Sequence, residues 1–261
     1  MLSDYAKTSF TDHATTRVVY VRGHGPAVIV IHEIPGITPQ VVRFADWVVE
    51  AGFRVYMPEL VGSAGRPVST GYTLSSLFQV CIRREFSVLA ANASSPVTAW
   101  LRALARQAHS EAGGKGVGAV GMCFSGNFAL AMMLEPSLMA PVLSQPSLPF
   151  PLGADRRGAL HVSPEELECV KQRCARGDRV LGLRFKGDPM SPPERFATLR
   201  REIGDAFEAI ELDDACANPD SPGFRPHSVL TNDLIDADGE PTKEAAKRVI
   251  AFFRERLQTP G

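Results

Sequence analysis

Segments with the character of buried strands alternate with segments of helical periodicity along nearly the whole chain. Residues 27–31, AVIVI, are apolar at every position, which is typical of a strand buried on both faces of a mostly parallel sheet. Residues 40–51 follow with apolar side chains at helical spacing. Further strands are predicted at 17–21, 53–57, 116–121, 140–143, 179–185 and 206–212. Further helices are predicted at 74–91, 96–112, 125–134, 192–203 and 242–257, and another begins at Ser163. This alternation, with no linker between two halves, predicts a single doubly wound α/β domain over residues 1–261.

Composition argues against several classes of function. The 261 residues carry a formal net charge of −1, so no basic field is available to attract nucleic acid or an anionic membrane surface. No apolar run approaches the length of a membrane span. The first ten residues include Asp4 and Lys7 and lack the apolar centre of a signal peptide. We therefore expect a cytoplasmic protein with reduced cysteines and a small molecule as its partner.

The strongest local signal is GMCFSG at residues 121–126, which lies between a predicted strand and an apolar helix. It fits a nucleophile elbow, where the nucleophile occupies a strained turn and small residues two before and two after it let the backbone approach closely. This spacing makes Cys123 the nucleophile, with Gly121 and Ser125 as the small residues. The competing interpretation is a structural cysteine, because free cysteine is among the most buried residue types. Ser125 is a second candidate nucleophile whose own surroundings fit the elbow less well.

In sites of this kind, an acid and then a histidine follow the nucleophile along the chain. Asp188 comes shortly after a predicted strand, in a Gly-Asp turn at its carboxyl end. Two histidines follow the nucleophile, His161 and His227, and only His227 also follows Asp188. Chain order therefore selects His227, with Asp188 to orient it. Asp213 and Asp214 are alternative acids, and a turn aspartate with an unrelated solvated histidine is the simpler interpretation.

Two backbone N–H groups are expected to form an oxyanion hole. One belongs to Phe124, the residue after the nucleophile, and the other to the loop after the early buried strand, which indicates Ile34. The adjacent His32-Glu33 pair lacks the second histidine of a zinc-binding helix. We therefore expect neither a metal nor an organic cofactor.

Five motifs together carry a family resemblance: HEIPG at 32–36, YMPEL at 56–60, GMCFSG at 121–126, Gly187-Asp188 and His227-Ser228. Through this combination of motifs the chain resembles the dienelactone hydrolase family, whose members are enzymes of the carboxymethylenebutenolidase type. The resemblance covers nearly the whole chain. The resemblance implies an α/β-hydrolase fold with a mostly parallel, doubly wound central sheet flanked by helices. It also implies cleavage of a small ester or lactone through an acyl-thioester intermediate, without a cofactor.

The resemblance further implies roles for individual residues. The catalytic triad would be Cys123, His227 and Asp188, and the oxyanion would be bound by the N–H groups of Ile34 and Phe124. Glu33 would contact the thiol at rest and accept its proton when substrate arrives, so that the thiolate forms on demand. Thioester or phosphotriester cleavage is the alternative within hydrolases. A non-catalytic small-molecule binder on the same scaffold is the alternative from another class, and a monomer or homodimer is expected.

The substrate-binding positions depart from the family pattern. Family members that act on dienelactone place an arginine four residues after the catalytic histidine, and here that position is Thr231. Arg225 is a candidate substitute, and Arg84 is a candidate second arginine for which a solvated helix face is the simpler interpretation. The long, proline-rich segment 144–161 is a candidate active-site cover, because loops of this length are often functional. We therefore expect a substrate other than dienelactone.

Overall fold

The computed structural model describes residues 1–86, 90 and 93–258. Within them, one sheet contains the strands β1 (Ala6–Asp12), β2 (Thr15–Arg22), β3 (Ala27–Ile31), β4 (Arg54–Pro58), β5 (Val117–Met122), β6 (Leu138–Ser144), β7 (Val180–Phe185) and β8 (Phe207–Leu212). The α-helices are α1 (Pro39–Glu50), α2 (Thr70–Ile82), α3 (Val97–Ala112), α4 (Phe128–Ala131), α5 (Ala154–Arg157), α6 (Pro164–Ala175), α7 (Pro193–Ile203) and α8 (Pro241–Leu257).

The strands lie in the order β1-β2-β4-β3-β5-β6-β7-β8. β2 pairs antiparallel with β1 and with β4, and every other neighbouring pair is parallel. Crossovers from strand to strand pass through helices, as parallel pairing requires. The mostly parallel, doubly wound sheet predicted from the sequence is therefore confirmed.

Two apolar layers cover the two faces of this sheet. The side chains of β3 alternate between them, so that Ala27, Ile29 and Ile31 face the layer of α3 while Val28 and Val30 face the layer of α1 and α8. All residues of β3 and of β5 are buried. This explains why β3 is apolar at every position rather than alternating with polar residues.

The register of the central strands brings the candidate site together. Ile31 of β3 pairs with Gly121 of β5, and Met122 of β5 pairs with Ser144 of β6. The segments that follow β3, β5 and β6 therefore leave the sheet side by side. In open α/β sheets, ligands bind at this carboxyl edge of the strands.

Three elements differ from the sequence-based prediction. The sequence does not predict β1, because its residues are mostly polar and exposed at an edge with β2 as partner. The helix predicted at 74–91 is α2, which begins four residues earlier after the cap Ser69, and residues 87–89 and 91 lie outside the described residues. The helix predicted at 125–134 is interrupted, since 3-10 turns at Cys123–Ser125 and Met132–Leu134 flank α4.

A buried arginine organises the segment 144–161. The guanidinium of Arg195, on α7, donates at 2.5–3.0 Å to four backbone carbonyls, those of Pro146, Pro149, Arg156 and Ala159. Residues 145–149 are buried, and α5 lies within the remainder of the segment. The later part lines a cavity with α6 and α7, on a different part of the surface from the cavity beside the candidate histidine. This placement gives the segment a supporting role, and its use as an active-site cover stays a prediction.

Candidate active site

The turn after β5 holds Cys123 in a backbone conformation that few residues adopt. Its φ is 55°, in the left-handed region, which costs a non-glycine residue about 1–3 kcal/mol and persists only where the surroundings fix it. Ser125 supplies that support. Its Oγ accepts from the Met122 N–H at 2.9 Å, and the hydroxyl lies 3.1 Å from the carbonyl oxygens of both Ile31 and His32. The elbow is thereby tied to the end of β3.

The small residues of the motif are required by close contacts. A Cβ on Gly121 would lie 2.1 Å from the carbonyl oxygen of Ser125, and a Cβ on Gly126 would lie 2.5 Å from Cα of Pro146. Ser125, the second candidate nucleophile, is completely buried and its hydroxyl is engaged with the backbone. Cys123 is partly exposed. The geometry therefore favours Cys123 over Ser125 as the reacting group.

His227 binds the Asp188 carboxylate and lies close to Cys123. Its Nδ1 lies 2.7 Å from Oδ2 of Asp188, and Cys123 is close enough to the ring to raise the pKa of the imidazole. The imidazole is 23% exposed and the carboxylate 1%, so the acid is shielded from water while the histidine remains accessible to a small molecule. The structure brings together the three residues that chain order selects.

Opposing effects act on the pKa of His227. Burial lowers it, whereas the charge of Cys123 and the hydrogen bond to Asp188 raise it, and the pKa ends well above the usual value for histidine. An imidazole whose cation is favoured in this way is a good acceptor for the proton of an adjacent thiol. The arrangement can therefore form a thiolate beside an imidazolium.

The two alternative acids have other partners. Asp214 accepts a hydrogen bond from the N–H of Gly187 at 2.8 Å, and Asp213 forms an exposed ion pair of 2.6 Å with Lys186. Asp214 thus supports the turn that carries Asp188 instead of contacting the histidine. Both aspartates follow β8, the strand that pairs with β7, and Asp188 follows β7. This position explains why the sequence allows either of them as the acid of the triad.

Asp233, which the sequence analysis does not single out, holds the loop of the histidine. Its Oδ2 accepts from the backbone N–H of His227 at 2.8 Å and from that of Ser228 at 2.6 Å. Its own N–H donates to the carbonyl of Ser228 at 3.1 Å, which closes a tight turn. The run of polar residues at 231–233 is the sequence signal for this turn, and it gives no information on which backbone groups are bound.

Glu33 is buried at the end of β3 among four donors. Its Oε1 accepts from the hydroxyl of Thr231 and, at 3.4 Å, from the amide of Asn232. Its Oε2 accepts from Ser228 Oγ at 2.8 Å and from Gln145 Nε2 at 3.2 Å. Among the described residues, the carboxylate makes no hydrogen bond with the Cys123 thiol. The expected resting contact with the thiol stays a prediction, since the hydroxyl and amide donors are the partners that both oxygens have among the described residues.

The two other buried histidines have structural partners. His32 Nδ1 donates to the carbonyl of Glu33 at 2.8 Å, and its Nε2 accepts from the N–H of Leu60 at 3.0 Å. His161 Nε2 lies 2.6 Å from Ser95 Oγ. Burial lowers the pKa of each of these histidines to about 4, so both rings are neutral near pH 7. Neither contacts the candidate nucleophile.

The two predicted oxyanion-hole donors lie on either side of the elbow. Phe124 is in the first turn of the 3-10 segment that begins at Cys123, where N–H groups have no acceptor within their own helix. Ile34 lines the cavity beside His227, and none of the loop hydrogen bonds of the described residues uses its N–H. Their role in binding an oxyanion stays a prediction.

A cavity of about 400 Å³ opens beside His227. Its walls come from the loop after β3, the start of α2 and the histidine loop. Arg225 is the one arginine or lysine among the described residues that line it. Arg84 lies exposed in the 3-10 turn Arg84–Phe86 and does not line this cavity. Of the two predicted substrate-binding arginines, one therefore borders the cavity.

The residues 1–86, 90 and 93–258 contain no group of three or more histidines, cysteines and acids arranged to hold a metal ion. Among the same residues, no helix combines the length and the apolar character needed to cross a membrane.

Known structures share this fold at low sequence identity. A protein provisionally assigned as a dienelactone hydrolase from Klebsiella pneumoniae is 18% identical, with 96% of this chain and 98% of that chain covered and a TM-score of 0.65. A dienelactone hydrolase from Anabaena variabilis is 13% identical, with 97% and 98% covered and a TM-score of 0.62. The dienelactone hydrolase-like promiscuous phosphotriesterase P91, from metagenomic libraries, is 18% identical, with 97% and 98% covered and a TM-score of 0.57. No curated protein matches the sequence significantly.

The profile of the dienelactone hydrolase family matches residues 15–149, which is more than half of the chain. The matched region contains β3, β5 and the elbow between β5 and α4, while Asp188 and His227 lie beyond it. The central strands, the small residues around Cys123 and the carboxyl-edge position of the site agree with that match. The chain is therefore a hydrolase that belongs to the dienelactone hydrolase family.

Proposed function

We propose that the protein hydrolyses a small carboxylic ester or lactone with Cys123 as the nucleophile. The observation that carries this proposal is that His227 binds the Asp188 carboxylate and lies close to Cys123 in its strained turn. A structural cysteine needs neither a partly exposed, strained turn nor a sheltered acid behind its histidine. A non-catalytic binder likewise has no use for all three groups together, which is why the enzyme hypothesis is preferred.

The reaction proceeds in two acyl transfers. His227 accepts the thiol proton while Sγ of Cys123 attacks the carbonyl carbon, and the resulting oxyanion is held by the N–H groups of Ile34 and Phe124. The tetrahedral intermediate collapses, its alkoxide takes the proton from His227, and an acyl thioester remains. His227 then removes a proton from water, whose oxygen attacks the thioester. The second tetrahedral intermediate collapses with cleavage of its C–S bond, the acid leaves, and Sγ of Cys123 takes the proton back from His227. Asp188 fixes the imidazole and stabilises its cation throughout.

The cavity reaches Ile34 and His227 but is not lined by Cys123, so it bounds the part of the substrate that lies beside the histidine. A volume of about 400 Å³ suits a small ester or lactone, and Arg225 offers a cation to a substrate carboxylate. Arg84, away from this cavity, is not assigned to the substrate. Structural neighbours include the phosphotriesterase P91 and a thioesterase domain from the curacin biosynthetic pathway. Thioesters and phosphotriesters are therefore the alternative electrophiles to include in a substrate panel.

The test is pre-steady-state hydrolysis of a p-nitrophenyl ester by the wild type and by Cys123→Ala. We expect a burst of nitrophenol equal to the enzyme concentration in the wild type, and a loss of turnover of ~10³-fold or more in the variant. Cys81→Ala is the matched control, because Cys81 is an exposed cysteine on α2, and it should retain full activity. Unchanged turnover in Cys123→Ala would exclude the proposed nucleophile.

Alkylation separates the enzyme hypothesis from the binder hypothesis. An activated Cys123 should react with iodoacetamide faster than the other four cysteines, as measured by mass spectrometry of labelled peptides. Equal labelling rates at all five positions would favour a binder.

A further inference from the structure

The proton transfer to the leaving group determines which part of an ester lies beside His227. When the first tetrahedral intermediate collapses, the imidazolium gives its proton to the alkoxide, so the alkoxide oxygen lies within hydrogen-bond reach of the ring, at about 2.6–3.2 Å. The carbonyl oxygen is directed to the predicted oxyanion hole of Ile34 and Phe124 instead. The group that extends past the imidazole is therefore the alcohol part of the ester.

The cavity of about 400 Å³ lies at this position. Its lining contains His227 and Ile34 but does not contain Cys123. A group bound in the cavity thus touches the histidine and the edge of the predicted oxyanion hole without covering the sulfur. These are the contacts that a leaving alcohol makes.

The start of α2 and the segment before it give this cavity an apolar wall. Val68 and Leu74 line it, and Pro222 adds a third apolar side chain from the loop that carries His227. Leu74 is 62% exposed, and α2 has no acidic or basic residue over its whole length, Thr70–Ile82. An exposed leucine beside a catalytic histidine gains free energy when an apolar ligand covers it.

Two charged residues of the lining differ in what they offer to a ligand. Asp233 is 3% exposed, and its Oδ2 already accepts from the N–H groups of His227 and Ser228. Arg225 is exposed and borders the same cavity. The cavity therefore suits an alcohol with an apolar body, and it places a cation near any carboxylate on that alcohol.

We propose that this cavity is the alcohol subsite, that its wall of Val68, Leu74 and Pro222 selects esters of apolar alcohols, and that such alcohols also accept the acyl group in place of water. This assignment rests on the proposed function for the nucleophile and the proton carrier. In the transfer, His227 takes the proton of the alcohol while the alcohol oxygen attacks the thioester carbon. The C–S bond breaks, Sγ of Cys123 takes the proton back, and a new ester leaves.

Two series of esters separate the alcohol part from the acyl part. The first keeps the acetyl group and changes the alcohol from methanol to benzyl alcohol, and the second keeps benzyl alcohol and lengthens the acyl chain from acetyl to hexanoyl. We expect Leu74→Asn to lower the benzyl-to-methyl ratio of kcat/KM by ~10-fold and to leave the hexanoyl-to-acetyl ratio unchanged. A change confined to the acyl series would overturn the assignment.

A second variant and a matched control make this comparison decisive. Val68→Thr keeps the shape of the side chain and adds a hydroxyl, so it should lower the benzyl-to-methyl ratio as well. Ile82→Asn is the control, because Ile82 is an apolar residue of α2, 59% exposed, that does not line the cavity. An equal effect of Leu74→Asn and Ile82→Asn on the ratio would remove Leu74 from the alcohol subsite.

The position of a carboxylate on the substrate gives an independent test. 4-Acetoxybenzoate carries it on the alcohol part, whereas monobenzyl succinate carries it on the acyl part. Arg225→Gln should raise the KM of the first ester more than that of the second, because Arg225 borders the cavity beside the histidine. An equal increase for both esters would contradict the placement of the alcohol.

Capture of the acyl-enzyme by added alcohols tests the acceptor role. p-Nitrophenyl acetate forms the acetyl-enzyme, and chromatography measures benzyl acetate and methyl acetate made from equal concentrations of the two alcohols. We expect benzyl acetate to exceed methyl acetate ~10-fold in the wild type, and Leu74→Asn to abolish this preference. The same product ratio in both proteins, with turnover still lost in Cys123→Ala, would overturn the subsite alone. Unchanged turnover in Cys123→Ala would instead overturn the proposed function.

Discussion

The carboxylate of Asp188 binds the imidazole of His227 with one oxygen and its own turn with the other. Oδ2 lies 2.7 Å from Nδ1 of His227, and Oδ1 accepts from the N–H of Met190 at 2.9 Å. Because the second bond fixes the plane of the carboxylate, the first one determines the orientation of the ring. An ionised carboxylate only accepts hydrogen bonds, so Nδ1 carries a proton and Nε2 is the ring nitrogen that can accept the proton of the thiol.

Asp188→Asn should lower kcat by ~10²–10⁴-fold, because an amide at this position can donate to Nδ1 and favour the wrong tautomer. The measurement is steady-state hydrolysis of an aryl ester. Asp213→Asn is the matched control, since Asp213 is exposed and pairs with Lys186, and its kcat should stay within twofold of the wild type. Equal activity in the two variants would contradict the orienting role of Asp188.

Gly121→Ala should destabilise the protein by about 3 kcal/mol, because the new Cβ would lie 2.1 Å from the carbonyl oxygen of Ser125 and the backbone must move. Urea denaturation measures the free energy of unfolding. Gly71→Ala, in α2, is the control, since a Cβ there has no atom within 4 Å. A loss below about 0.5 kcal/mol in Gly121→Ala would show that the elbow adapts easily.

Arg225→Gln should raise KM about tenfold for esters that carry a free carboxylate, and leave KM for neutral esters unchanged. The reason is that Arg225 is the one arginine or lysine among the described lining residues of the cavity. Arg84→Gln is the control, because Arg84 lies outside that lining, and both classes of ester should be unaffected. The same KM change for charged and neutral esters would remove Arg225 from carboxylate recognition.

Acid should destabilise the fold between about pH 6.5 and pH 4 through two buried histidines. Burial lowers the pKa of His32 and of His161 to about 4, whereas both take up a proton near pH 6.5 in the unfolded chain. The unfolded state therefore binds more protons in this interval. As the pH is lowered, each of the two histidines reduces the free energy of unfolding by up to about 3 kcal/mol.

A series of urea titrations from pH 7 to pH 4.5 checks this effect. His161→Gln should reduce the slope of stability against pH, while His24→Gln, in an exposed turn, should leave it unchanged. His227 acts in the opposite sense, since its raised pKa gives a contribution that is complete below about pH 6.5 and is lost at higher pH. A flat profile below pH 6.5 would contradict the buried neutral histidines.

Arg195→Lys should cost about 3 kcal/mol or more, because a single ammonium cannot reach all four carbonyls that the guanidinium binds. Arg157→Lys is the control, since Arg157 forms an exposed ion pair with Glu194. Urea denaturation compares the two variants. Equal stability would show that the segment after β6 holds its shape without this arginine.

Local sequence patterns predict most of the fold, because buried strands and amphipathic helices have clear periodicities. β3 and α1 are found nearly at their observed bounds. β1 is missed, since an exposed edge strand has no apolar face to recognise. The helix after the elbow is predicted too long, because the apolar content of residues 125–134 does not reveal the 3-10 turns that interrupt it.

For the candidate site, chain order is enough to select Cys123, Asp188 and His227, whose proximity the structure then supports. The supporting residues are different. Gln145 and Asp233 act through contacts that depend on how distant segments meet, so neither has a local pattern of its own. The engagement of Glu33 by hydroxyl groups is a property of that packing and is not visible in the sequence.

The contact between Gly126 and Pro146 has a consequence for engineering. The two positions are twenty residues apart, yet a Cβ on one would lie 2.5 Å from Cα of the other, so the elbow and the exit of β6 share one volume. A nucleophile turn transplanted from a relative would not fit unless the residues after β6 came with it. Libraries that diversify this active site should therefore treat 121–126 and 145–149 as a single cassette.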